Sequence, residues 1–334
     1  MVTRNDVARL AGVSAATVSY VINNGPRPVS VETRERVLRV IHDLDYQPNA
    51  LARNLRMQRT STLGLILPDI QYPFFSEVTR GIEAVAHENG YKLILCHSGY
   101  SVERELEYID TLQMERVAGV IWIPATPDME PYNKLVSYGM PTVVSDRIVT
   151  GHDVVFVAVD NFRGGYIATE HLIQLGHRRI GVITLPIGMS FSQRRLEGYT
   201  AALEEHDIPF DGQLVVHGGY CLENGFEAFN QLIQVTPRPT AIFSFNDIMA
   251  IGALRAAHKS GLKVPADISI IGFDNIPQAD FITPALTTVN QTKFGVGRRA
   301  TELLLRLIDG ESVDVGNEPL LGVELVIRES TGPA

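Results

Sequence analysis

The spacing of apolar residues changes near residue 60, and the change divides the chain. Before it the period is helical. Val7, Ala8 and Leu10 share the inward face of a short helix that Asn5 can cap, and Val18, Val21 and Ile22 share one face of a second helix, Ala15–Asn23, with Ser14 at its N-cap. Gly12 lies between the two, where a residue that takes positive φ at little cost allows a sharp turn, and Ala8 is small enough for the helices to cross closely. Ser30 caps a third predicted helix, which runs to Leu44 with Val37, Leu38, Ile41 and Leu44 as its apolar stripe, so the three helices can close a small core. The second helix turns Ala15, Ala16, Thr17, Ser19 and Tyr20 outward. These are short or hydrogen-bonding groups, and the pattern predicts a helix-turn-helix whose second helix enters the major groove of DNA.

After residue 60 short apolar runs alternate with amphipathic segments. Residues 63–67, 91–96, 119–123, 141–145 and 154–159 read as buried strands, with 75–89 as one of the intervening helices. A second series follows: helix 163–175, strand 180–184, helix 191–206, strand 214–217, helix 223–234, strand 240–243, helix 247–259 and strand 268–271. A last helix, 293–308, and strand, 320–327, do not complete a third lobe and must return to the first two. The fold class is therefore α/β, with an all-α helix-turn-helix head followed by a two-lobed body on two Rossmann-like parallel sheets.

The segments DVARLAGVSAATVS, SVETRERVL and YQPNALARNLR resemble the LacI/GalR (lactose-repressor-type) family of bacterial transcription regulators, and the likeness runs the length of the chain. It implies a body like a periplasmic binding protein, with three crossovers, placed near Asn161, Gln291 and Pro319, joining two subdomains around a cleft. The expected domains are a DNA-binding head over 1–46, a hinge helix and linker over 47–60, and an effector-binding and dimerisation domain over 61–334. Its N-subdomain takes about 61–161 and 292–319, its C-subdomain about 162–291 and 320–330.

Pro48 can start the hinge helix and Asn49 can cap it, but residues 50–55 are too few to hold a helix alone in water. In the family this helix forms on operator DNA against its two-fold mate, which implies that Leu55 wedges into a minor-groove step while Arg53, Arg56 and Arg59 lie near phosphate. The expected DNA-contacting residues are Ser14, Ala15, Ala16, Thr17, Ser19, Tyr20, Asn23, Asn49, Ala52, Arg53 and Leu55. Tyr20 is a departure, since many relatives carry arginine there. With Ala15 and Ala16 beside it, direct hydrogen-bonded readout should be sparse, and the operator sequence cannot be copied from a relative.

Composition refines this picture. With 334 residues, 45% of them hydrophobic, the chain can form two or three domains with sizeable cores. A net charge of −9 does not suit DNA binding until the chain is split. Residues 1–60 hold nine Arg against five Asp and Glu, net +4, which leaves twenty basic against thirty-three acidic residues, net −13. A basic head on an acidic body is the asymmetry expected when only the head meets phosphate. Cys96 and Cys221 have no CxxC spacing and read as buried free thiols. No secretory segment opens the chain and no run approaches the roughly 18 apolar residues of a membrane span, so a cytoplasmic protein is expected. The chain stops at Ala334 without a heptad helix, and the expectation is a homodimer on a pseudo-palindromic operator.

Enzymatic chemistry is poorly represented. There is no GxxxxGK[ST] loop, no GxGxxG after a strand, no GxSxG elbow and no HExxH, so no cofactor, metal or catalytic residue is expected. His177 leads into a strand and reads as surface structure, and His171 has no evident partner. Strand ends and loops, where open α/β sheets place ligands, are richer. By residue-for-residue match the resemblance implies ligand contacts from Phe74 and Phe75 in PDIQYPFF, Asp146 in VVSDR, Arg195 in QRRLEGY, Tyr220, Asn246 in FSFND, Asp274 in IIGFDN and Gln291 in VNQ, with Arg147 a weaker candidate. Aromatic, carboxylate, amide and guanidinium groups together suit a neutral carbohydrate effector, although purines fit some relatives. The expected function is a repressor controlled by such an effector. A solute-binding protein of the same body fold, or a nucleotide-dependent enzyme, is the alternative. The attached DNA head argues against the first and the missing fingerprint against the second.

Overall fold

The computed structural model describes residues 3–23, 29–44, 60–146, 154–186, 188–313 and 319–334. They fall in two compact units, residues 1–59 and 60–334. The hinge residues Asn49, Ala52, Arg53 and Leu55 lie outside the described residues, as do Arg56, Arg59, Arg147 and the Asn23 side chain.

In the first unit, α1 (Arg4–Ala11), α2 (Ala15–Asn23) and α3 (Val31–Asp43) bury Val7, Ala8, Ala11, Val18, Val21 and Val37 against one another. Two apolar positions differ from the sequence reading. Leu10 is 58% exposed and Leu38 47% exposed; Ala11 and Val40 take their places, because the 3.6-residue period carries those two leucines past the seam. The cap of α1 is Thr3 rather than Asn5, for Thr3 and Asp6 form a reciprocal capping box. Gly12 ends the helix in the left-handed region at φ 63°, where its backbone N–H reaches the Ala8 and Arg9 carbonyls. Arg36 Nε donates to the Ala11 carbonyl at 3.0 Å and so ties α3 to the turn.

The second unit holds two sheets. The first has the order β2-β1-β3-β4-β5, all parallel, from β1 (Thr62–Leu67), β2 (Lys92–His97), β3 (Gly119–Trp122), β4 (Thr142–Ser145) and β5 (Phe156–Val157). Helices α4 (Pro73–Glu88), α5 (Val102–Met114) and α6 (Glu130–Ser137) connect its strands. The second sheet runs β11-β10-β9-β8-β6-β7, from β6 (Ile180–Thr184), β7 (Val215–His217), β8 (Ala241–Ser244), β9 (Ser269–Asp274), β10 (Thr287–Gln291) and β11 (Val323–Val326). It is parallel except at β10–β11, so the last strand returns as an antiparallel edge. Helices α7 (Asn161–Gln174), α8 (Ser190–Glu205), α9 (Leu222–Leu232), α10 (Asp247–Lys259) and α11 (Gln278–Phe281) belong to this series, and α12 (Lys293–Ile308) packs back on α4. The chain thus passes between the lobes after β5, after β10 and after α12. The first and third passes run side by side, with Val159 bridged to Leu321.

Continuous apolar strands follow from burial on both faces. One lobe-one face packs Leu63, Leu65 and Ile121 against Val78, Ile82 and Leu304, and the other packs Ile66, Val120 and Trp122 against Ile109 and Leu135. Lobe two centres on Phe229, Phe243, Phe245 and Phe273. Two polar residues sit otherwise than expected. Cys221 is exposed, because it caps α9 instead of packing under it. His177 is 2% exposed, bonded through its ring to Thr240, Ser269 and the Gly332 carbonyl, since the C-terminal strap folds over it. His171 does have a partner, Thr331 Oγ1 at 3.0 Å.

Candidate functional site

In the head, the Ser14 hydroxyl accepts from the Thr17 N–H at 3.1 Å and caps α2. Ala16 is exposed; Ala15, Thr17, Ser19 and Tyr20 are partly so, and Ala15 also packs on the three-helix core. The first two turns of α2 therefore present small side chains and one phenol.

In the body, all eight candidate ligand residues border one cleft between the lobes, with two adjoining hollows of about 310 and 340 Å³, each open in part to solvent. Lobe one supplies Phe74 and Phe75 from the first turn of α4, which Pro73 starts, and Asp146 just after β4, held at φ 64°. Lobe two supplies Arg195 from α8, Tyr220 after β7, Asn246 at the N-cap of α10, Asp274 at the end of β9 and Gln291 at the end of the neighbouring β10. Parallel pairing of β9 with β10 places Asp274 opposite Asn290, so its carboxylate meets the next side chain, Gln291.

The guanidinium of Arg195 is already engaged. Nε donates to Asn161 Oδ1 at 2.8 Å, Nη1 to the Phe245 carbonyl, and Cζ lies 3.6 Å from the Phe273 ring centre. Asp274 is engaged too, with Oδ1 accepting from Gln291 Nε2 and Oδ2 from the Tyr72 hydroxyl. Asn246 spends its Oδ1 on the Met249 N–H at 2.7 Å. Among the described residues, four buried atoms on the cleft carry no protein partner: Ser145 Oγ, Asp146 Oδ1, Gln291 Oε1 and Asn246 Nδ2. They amount to two acceptors, one donor and one hydroxyl that can serve as either.

Electrostatics add a constraint. Burial raises the Asp146 carboxyl to about 7 and Asp247 to about 8, and raises Asp274; Arg195 opposes the rise at Asp146 and Asp274, and Lys293 opposes it at Asp247 and Asp274. Burial likewise lowers Arg195 and Lys293. Three carboxyls against two cations, with Arg195 largely occupied, favour an uncharged ligand over an anion.

Several cleft residues were not legible in sequence. Tyr72, Tyr100 and Phe191 line it beside the expected aromatics, and Tyr100 stacks on Tyr220 with centroids 4.7 Å apart. Asp247 accepts from Thr288 Oγ1 and the Ile276 N–H, and Lys293 Nζ donates to the Asp274 and Asn275 carbonyls, so this pair braces the turn that carries Asp274. Their adjacency to Asn246 and Gln291 was the available signal.

Residues 3–49 match the family model described as bacterial regulatory proteins, lacI family, and residues 169–331 match the periplasmic binding protein-like domain. The chain is 39% identical over 322 residues to the HTH-type transcriptional repressor PurR of Proteus mirabilis (strain HI4320), covering 94% of each. Among solved structures, the lac repressor dimer bound to operator and the anti-inducer ONPF superposes with a TM-score of 0.88 at 30% identity, covering 99% of each chain. A transcriptional regulator CelR–cellobiose complex superposes with a TM-score of 0.75 at 33% identity, over 99% of this chain and 100% of that one. No described helix is long and apolar enough to cross a membrane.

Proposed function

The chain belongs to the lacI family of bacterial regulatory proteins, and on that premise we propose that a neutral, polyhydroxylated ring, a carbohydrate, is the effector held in its cleft. It is a DNA-binding transcriptional repressor controlled by a small molecule, and not an enzyme. The observation that carries this ligand is that Asp146 Oδ1, Gln291 Oε1 and Asn246 Nδ2 are buried and free on the cleft, whose walls beyond Ser145, Arg195 and Asp274 are aromatic and apolar. A ring with hydroxyls on its edge and C–H on its face meets both kinds of wall. The cellobiose bound by the CelR relative supports this reading. The number of aromatic walls, Phe75, Tyr100, Phe191 and Tyr220, favours a second reading, a planar heterocycle such as a nucleobase.

We propose the mode of DNA binding as well. A cytoplasmic homodimer places two copies of α2 in successive major grooves of a pseudo-palindromic operator, with Ser14, Ala15, Ala16, Thr17, Ser19, Tyr20 and Asn23 at the bases and the segment carrying Asn49, Ala52, Arg53 and Leu55 at the minor groove. The lac repressor dimer on its operator supports this arrangement. A thermal-shift screen of sugars, nucleobases and their phosphorylated forms tests the effector class, since a ligand at 100 times its Kd stabilises the folded state by about 2.7 kcal/mol. Stabilisation by phosphorylated compounds alone would overturn it.

A further inference from the structure

Among the described residues, two side-chain pairs join the lobes directly across the cleft. The Tyr72 hydroxyl, at the N-cap of α4 in lobe one, donates to Asp274 Oδ2 at the end of β9 in lobe two. Tyr100, after β2 in lobe one, stacks on Tyr220 of lobe two with ring planes 22° apart. Each contact is braced from behind. The Tyr72 ring meets Phe75 edge-on at 5.6 Å, and Lys293 and Asp247 hold the Asp274 turn, in which Asp274 and Asn275 both have positive φ. Tyr100 itself sits at φ 63°, a left-handed conformation that a bulky side chain keeps only when its surroundings over-determine it. Burial and the neighbouring Asp274 charge raise the Tyr72 phenol, so it remains a donor. Each Asp274 oxygen thus already accepts one hydrogen bond. Gln291, on the adjacent strand, moves with it, whereas Tyr72 moves with the other lobe.

We propose that Tyr72 is a cross-cleft latch: bound to Asp274, and reinforced by Tyr100 on Tyr220, it holds the lobes together through protein contacts alone, and an effector donor that takes the phenol's place on Asp274 Oδ2 releases it. This goes beyond the repressor reading and is testable without operator or effector. Tyr72 is thereby a specificity-determining residue, because only a ligand that offers Asp274 a donor at least as good as a phenol gains by opening the latch.

Native-state thiol labelling of the full chain reads lobe opening. Ser145 is fully buried and lines the cleft opposite Met189 and Phe191, so a Ser145→Cys thiol reacts with a disulfide reagent only when the lobes part. Cys221→Ser removes the exposed thiol and keeps a good cap for α9. Cys96, buried in the lobe-one core, reports lobe unfolding in the same sample. Tyr72→Phe, and separately Tyr100→Ala, should each speed labelling of the Ser145→Cys thiol about tenfold, a shift of about 1.4 kcal/mol, with Cys96 unchanged. An unchanged rate at Ser145→Cys in both variants overturns the latch, as does labelling in the parent as fast as in the denatured chain. If Tyr100→Ala speeds both thiols, Tyr72→Phe decides, since it removes only a hydroxyl; both thiols rising together there would make the phenol a prop of the lobe and overturn the latch as well.

Discussion

Gly81 of α4 and Gly297 of α12 let the two lobe-one helices meet backbone to backbone. A Cβ on Gly297 would stand 2.0 Å from the Val78 carbonyl oxygen, and one on Gly81 would stand 2.2 Å from that of Phe294. Neither neighbour is a flexible side chain, so α12 must shift to admit a methyl group. This crossing sets where α12 rests after the β10 crossover, and the first turn of α4 carries Tyr72, Phe74 and Phe75.

Gly297→Ala should therefore destabilise the body by about 1–3 kcal/mol, the usual cost of overpacking. Urea unfolding followed by circular dichroism gives the value. A loss below about 0.5 kcal/mol, within the spread of surface substitutions, would mean that the crossing relaxes freely.

The Asp146 carboxyl predicts a pH dependence. Its folded value of about 7 lies above the ordinary 3.8, so between these the folded protein keeps a proton that the unfolded chain releases. Stability from this group is greatest below pH 4, falls as the pH rises through the window, and is lost above 7. Asp146→Asn removes the penalty and should be more stable than the parent at pH 8, by up to about 4 kcal/mol, with the difference shrinking toward pH 4. Melting curves at pH 5 and pH 8 check this. A variant less stable than the parent at pH 8 would contradict it.

The head makes a separate prediction. Tyr20→Ala should change preference at one or two operator base pairs, whereas Arg53→Ala should weaken binding to all sequences and lower the salt slope by about 1. Selection from a randomised operator library at two salt concentrations distinguishes the two effects. Unchanged preference in Tyr20→Ala would remove that side chain from the bases.

Periodicity made the layout legible. The boundaries of α2, α10 and α12 and the alternation in both lobes follow from local pattern, because each helix or strand buries a face of its own. Local pattern misleads where burial is set by a distant segment. Leu10 and Ala11 compete for one seam, and only the packed helices show which wins. His177 looks like a surface residue until Thr240, Ser269 and the C-terminal strap close over it. The cleft candidates came from family motifs, but what each side chain does there did not. Tyr72 and Asp274 are 202 residues apart and no spacing rule pairs them. That Arg195 spends two nitrogens on Asn161 and Phe245 likewise emerges only from the folded lobe.

If a ligand in the cleft governs the DNA-binding head, Asn246→Ser should weaken that control without touching the head. Serine is as good a helix N-cap as asparagine, so α10 keeps its start, while the Nδ2 donor facing the cleft is removed. The measurement is operator affinity of the parent and Asn246→Ser, titrated with the effector identified by thermal shift. The variant should bind operator like the parent without effector and need at least about tenfold more effector for half its response, the equivalent of one lost hydrogen bond of about 1.4 kcal/mol. A half-response concentration equal to the parent's would show that the effector does not bind where the buried polar atoms converge.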